Sequence, residues 1–245
     1  MAPASTHGRA GAVASFLSVL QLSDSAFPSG RYTLSYGLEA FAQEGELGGP
    51  RRASSLVELL SDCIRFGVAP SDGVALACAH RAVGADGRLD LDLVTAADER
   101  LTAVKLTREV REASTRTGRA LVGTATAAFD ARALREYAAR VEAGSSPGNH
   151  AVVLGVLGAS LGVPRLEAVA GELFAFSAGW GGAAVRLGLI DHRAAQRLLH
   201  RVRPVSVAAA LRAVDRDVRH ISSSGPLPDV MSMRHEQAEL RLFAT

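Results

Sequence analysis

Residues 149–187 read NHAVVLGVLGASLGVPRLEAVAGELFAFSAGWGGAAVRL, and the fold turns on how this stretch is interpreted. It holds two apolar runs, 151–164 and 173–185. Both fall short of the ~20 residues a bilayer requires, and Glu172 and Arg186 bracket the second. Asn149 and Pro164 stand where helices start. Gly155, Gly158 and Gly162 recur at i, i+3 and i+7. Each glycine costs ~1 kcal/mol of helix propensity relative to Ala, so three on one face predict that another backbone approaches there. The stretch reads as two central helices of a soluble bundle.

The rest of the chain agrees. It has 245 residues, 48% hydrophobic and 21% charged, which excludes wholesale disorder. Aromatic residues make up only 5%, Ile occurs at 64, 190 and 221 alone, and Ala, Leu, Arg and Glu, all helix formers, carry the sequence. Helical spacing predicts helices near 12–22, 33–44 and 51–67, and another restarting at Pro70. Further helices follow, one opened by Asp90 and Asp92, then 105–128 and 130–143, the two central ones, one capped by Asp191 and one running from Pro204 to about His220. The expected fold is all-α: a single-domain helical bundle of about ten helices with a C-terminal extension. Residues 1–11 read as a disordered tail, 12–221 as the helical domain, and 222–245 as a linker and tail. The loop 144–148 resembles a domain boundary, but the helical pattern is the same on both sides. The segment after Arg9 imitates a secretory signal. Ser15, Ser18 and Gln21 between Phe16, Leu17 and Leu20 read instead as an amphipathic helix, so the expected compartment is cytoplasmic.

Counting excludes several chemistries. The only lysine, Lys105, follows no glycine-rich loop, so there is no P-loop to wrap phosphates. The two cysteines, Cys63 and Cys78, form no Cys-x-x-Cys, which excludes a zinc ribbon or a disulfide scaffold. Cys63, Cys78 and His80 include the ligand types of a soft-metal site, but helical positions 78 and 80 point ~200° apart. No nucleophile elbow occurs. The expectation is a protein with no catalytic residues, no metal site and no cofactor of its own.

Two stretches suggest binding. Residues 186–220 hold eight Arg against three Asp, and Arg193, Arg197 and Arg201 fall at i, i+4 and i+8. This basic ridge suits an acidic protein surface or, alternatively, a nucleic-acid-binding regulator. No aromatic residue lies between Gly181 and Leu242 to stack on bases, which favours protein over nucleic acid. The amphipathic tail 231–243 follows a Ser/Pro-rich linker. It either folds back on its own domain or docks in a partner's groove.

The stretch from Leu17 to Gly45, with its Pro28-Ser29-Gly30 turn and Ser35-Tyr36-Gly37-Leu38-Glu39, resembles the opening signature of the urease accessory protein family UreF. Three later blocks follow in family order: 111–119, 183–187, and the ending Met233-Arg-His-Glu with Arg241-Leu-Phe243. The chain has Gly188-Leu-Ile-Asp-His192 where that family has a Pro-Leu/Phe-Gly-Gln turn. The resemblance implies an all-helical scaffold for urease maturation, with no chemistry of its own. Such a protein forms a homodimer, binds UreD (UreH), and recruits the GTPase UreG to apo-urease, so that GTP hydrolysis is coupled to nickel insertion. Nickel then transits the complex, and GTP is held by the partner. By the same resemblance, Tyr36, Glu39 and Arg186 are expected in partner contact or coupling, and His235 and Arg241 in docking UreD. Neither nucleic acid nor membrane is an expected partner.

Overall fold

A computed structural model describes residues 6–45, 47, 52–238 and 241–244. The described residues form eleven α-helices. These are α1 (Thr6–Ser23), α2 (Leu38–Gln43), α3 (Arg52–Asp62), α4 (Val74–Arg81), α5 (Leu91–Val104), α6 (Arg108–Ala128), α7 (Arg132–Glu142), α8 (His150–Ser160), α9 (Arg165–Arg186), α10 (His192–Ala213) and α11 (Pro226–His235). A π-helical segment, Cys63–Gly73, joins α3 to α4. The fold is all-α, as expected.

Helix α8 is the axis of the bundle. Every residue from His150 to Gly158 is buried, and α4, α6, α7 and α9 pack around it. Gly155 explains how near they come. A Cβ there would lie 2.4 Å from the Leu76 carbonyl oxygen of α4. The approach expected from the glycine spacing is thus real at Gly155. Gly162 has another use, taking φ +71° in the turn that ends α8, where Val163 N–H reaches the Gly158 carbonyl at 2.9 Å. Because packing resists overfilling, Gly155→Ala is expected to push α4 off α8 and cost about 1–3 kcal/mol. Thermal denaturation followed by circular dichroism measures this.

Helix α9 is 22 residues long and, by length and composition, apolar enough to cross a membrane, but 56% of its apolar window is buried inside the bundle. It lies against α1, α4, α8 and α10. Its buried Trp180, Phe176 and Leu173 belong to the main core.

Several boundaries differ from the sequence expectation, each for a local reason. Helix α1 begins at Thr6, so part of the expected N-terminal tail is helical; residues 1–5 lie outside the described residues. The second helix shrinks to Leu38–Gln43 because Tyr36 and Gly37 take φ +55° and +81°, which no helix accommodates. Helix α10 runs through Pro204, which sits on its exposed face together with His200, the residue whose carbonyl the proline cannot bond.

Pro70 also fails to break its helix. Its ring has no N–H and excludes the carbonyl of residue 66, so the backbone widens into the π-helical segment. The linker then supplies the missing donors: Ser224 N–H to the Phe66 carbonyl at 2.9 Å and Ser222 N–H to the Pro70 carbonyl at 3.1 Å. The C-terminal segment is thereby tied to the bundle before α11 begins.

The loop 144–149 is anchored rather than free. Asp98 of α5, fully buried, accepts from Tyr137 Oη (2.6 Å), Ser146 Oγ (2.6 Å), Gly148 N (2.7 Å), Asn149 N (3.0 Å) and Asn149 Nδ2 (2.7 Å). Asn149 stands at the N-cap of α8 as expected, but its side chain serves Asp98 and Thr102 instead of capping.

Candidate functional site

The left-handed Tyr36–Gly37 turn sets the start of α2 and places Glu39 in its first turn, buried. The positive φ of Gly37 favours glycine there, and α11 crosses over the turn in ordinary contact, with the Pro228 carbonyl 3.5 Å from where a Cβ would sit. Helix α11 also packs on α6. The C-terminal tail is therefore folded back on its own domain, one of the two alternatives left open by the sequence.

Carboxylates hold it. Glu39 accepts from the backbone N–H of Leu242 (2.7 Å) and Phe243 (3.0 Å), and its Oε2 lies 2.9 Å from His235 Nε2. The other ring nitrogen, Nδ1, lies 2.9 Å from Glu109 Oε2 at the start of α6. His235 thus bridges the two carboxylates, one at each ring nitrogen. Arg241 donates to Glu109 Oε1 at 2.6 Å. Glu39, Glu109 and Arg241 thus form a clasp around His235, which has no solvent exposure. Glu236 adds a second tie by accepting from the Glu109 backbone N–H at 3.0 Å, in the first turn of α6, where a negative charge meets the helix dipole favourably.

Arg186 completes the seat. Its guanidinium lies 4.0 Å from the Tyr32 ring centroid and 4.5 Å from that of Phe243, and it donates to the Tyr32 carbonyl. Ala244 N–H reaches the Thr33 carbonyl at 2.9 Å. Glu39, Arg186, His235 and Arg241, separated widely in sequence, therefore meet at one place. Tyr36 faces a neighbouring cleft: its ring packs edge-on against Phe176 with centroids 4.7 Å apart, and its hydroxyl accepts from Arg31 Nε at 3.3 Å.

That cleft has a volume of about 1040 Å³ with its open mouth included, and α11 and the linker form one wall. Two buried ion pairs line it, Arg31 with Glu172 (2.7 and 3.0 Å) and Lys105 with Asp72 (2.8 and 2.9 Å). Burial pushes the Glu172 carboxyl above its ordinary value, against the pull of Arg31. Burial, with Arg31 and Lys105 nearby, holds His150 well below the usual histidine range. His80, also lowered by burial, has Nε2 2.7 Å from the Val163 carbonyl. The unfolded chain takes up protons at these two histidines near their ordinary pKa of 6.5, while the folded chain does not. Stability is therefore expected to fall as pH drops below 6.5, down to the depressed folded values, with Glu172 offsetting part of the loss. His150→Gln is expected to flatten that slope, as measured by urea denaturation at several pH values.

The soft-metal trio does not assemble. Cys63 lines the cleft with its thiol pushed up to about 12 by burial, Cys78 accepts from Arg81 at 3.2 Å, and His80 is bonded to Val163. Among the described residues, no group of three or more His, Cys, Asp or Glu side chains is placed to hold a metal ion.

Sequence reasoning missed Glu109, Arg31 and Glu172. Glu109 sits just ahead of the 111–119 block, and only its position in a helix's first turn marked it.

Comparison with known proteins adds an independent line. Residues 51–203 match the family model described as UreF. The chain is 33% identical to "Urease accessory protein UreF" of Arthrobacter sp. (strain FB24), over 93% of this chain and 96% of that protein. It is 30% identical to the protein of the same name from Trichodesmium erythraeum (strain IMS101), with the same coverage of each chain. It is 29% identical to "Urease accessory protein UreF 2" of Brucella canis, over 93% of this chain and 90% of that protein.

Proposed function

The chain belongs to the UreF family of urease accessory proteins, and we propose that it acts as a non-catalytic scaffold in urease maturation. In this reading it works in the cytoplasm as a homodimer. It binds UreD (UreH) and recruits the GTPase UreG to apo-urease, coupling GTP hydrolysis to nickel insertion. The observation that carries the reading is the clasp. A tail held by Glu39, Glu109 and His235 from behind presents Val230, Met233 and Leu242 outward as exposed apolar side chains, with Arg241 44% exposed beside them. An apolar patch flanked by an arginine is suited to docking another protein, because the arginine fork pairs bidentately with carboxylates. Glu39, His235 and Arg186 act here as positioning residues that shape the docking surface, Tyr36 steadies the turn that leads into Glu39, and Arg241 contacts the partner.

The test is capture of purified cognate UreD by the full chain and by a chain lacking residues 229–245. The deletion is expected to weaken capture at least tenfold. Unchanged capture by a deletion variant with an intact circular dichroism spectrum would overturn the docking role of the tail.

A further inference from the structure

The clasp does not involve the arginines of α10. Helix His192–Ala213 carries Arg193, Arg197, Arg201, Arg203 and Arg212 and no acidic residue. All five are exposed, and among the described residues none has a carboxylate within ion-pair distance. At 100° per residue, Arg193, Arg197, His200, Pro204, Val207 and Leu211 fall within about 80° of arc on one face. Val207 and Leu211 on that face are 53% and 57% exposed. The opposite face, with Leu198, Val202 and Ala209, is buried against α9, α3 and the π-helical segment. The exposed face therefore has two parts on a rigid backing: two basic turns, then two apolar turns.

We infer that this face of α10 is a second docking surface, for a protein that presents an acidic patch beside an apolar one. The inference rests on the scaffold reading and extends it with a site separate from the tail. Charge and shape select the occupant. A nucleic acid would leave Val207 and Leu211 in water and finds no aromatic residue on α10 for stacking. A second copy is disfavoured too. Pairing α10 in parallel sets arginine against arginine, and pairing it antiparallel sets arginines against Val207 and Leu211, leaving the charges unpaired. An acidic and apolar partner satisfies both halves together.

The experiment uses the full chain with purified cognate UreD, UreG and apo-urease, each tested for binding at low and at physiological salt. One variant reverses the basic half (R193E, R197E and R201E together), and a second spoils the apolar half (Val207→Asp with Leu211→Asp). All five positions are exposed, and matched melting curves confirm folding; a milder Arg→Gln set replaces the reversal if it melts early. The expected result is that one partner loses at least tenfold in affinity in both variants, and that added salt weakens its binding to the wild-type chain. If both variants hold every partner that the wild type holds, the α10 surface falls while the scaffold reading stands. If the wild type holds none of the three, both fall together. Salt-sensitive binding of a 20-base-pair DNA duplex, abolished by the arginine reversal while protein capture is unchanged, would assign the ridge to nucleic acid instead.

Discussion

Asp98→Ala is expected to cost about 3–5 kcal/mol of folding stability, among the largest losses from any single change in this chain. The substitution removes one buried carboxylate and leaves its donors on Tyr137, Ser146, Gly148 and Asn149 without an acceptor. A buried donor left unpaired costs about 1–3 kcal/mol, but these do not add fully, because the loop 144–149 relaxes and admits water. Burial and the Asp98 carboxylate both raise the Tyr137 phenol, so it stays a donor throughout the accessible range. For a chain of this length the loss corresponds to a melting temperature lower by about 6–20 °C. Asp98→Asn keeps one acceptor but turns an NH2 toward the donors, and is expected to fall between wild type and Asp98→Ala. Thermal and urea denaturation measure both; a loss under about 1 kcal/mol for the alanine variant would show that water replaces the carboxylate.

The second large effect is local. Glu39→Ala is expected to raise the population of undocked tail by about 30–150-fold, equivalent to about 2–3 kcal/mol, while the bundle's melting temperature changes little. It strips the partner from His235 Nε2 and the acceptor from the N–H groups of Leu242 and Phe243, and leaves His235 facing Glu109 alone. Hydrogen exchange at the Leu242 and Phe243 amides reads the opening directly, and trypsin cleavage after Arg241 reads it by a second route. Protection equal to wild type would mean that Glu109, Arg186 and the linker bonds hold the tail unaided. The same variant is expected to capture UreD less well under the scaffold reading.

How much of this was legible in the sequence depends on how far apart the interacting residues lie. The all-α class and the close approach at Gly155 followed from composition and from glycines at helical spacing, both local properties. The Asp191 cap was readable for the same reason, since it accepts from a residue three positions on. Pro70 misled because the rule that proline ends a helix assumes that the freed carbonyl stays unpaired. At Pro70 the linker pairs it from about 150 residues away. Asp98 left no signature, because its donors come from residues 39 to 51 positions later. Glu109 was invisible for the same reason: its partners lie 126 and 132 positions on. The tail residues were found through family resemblance, which recognises a motif without saying what it touches.

Glu39 and Phe243 are separated by 204 positions. On the ribosome, the first of them leaves the exit tunnel long before the second is made, so the clasp cannot close until Phe243 has emerged. A nascent polypeptide that has not yet reached residue 235 has α8 and its neighbours but an empty seat.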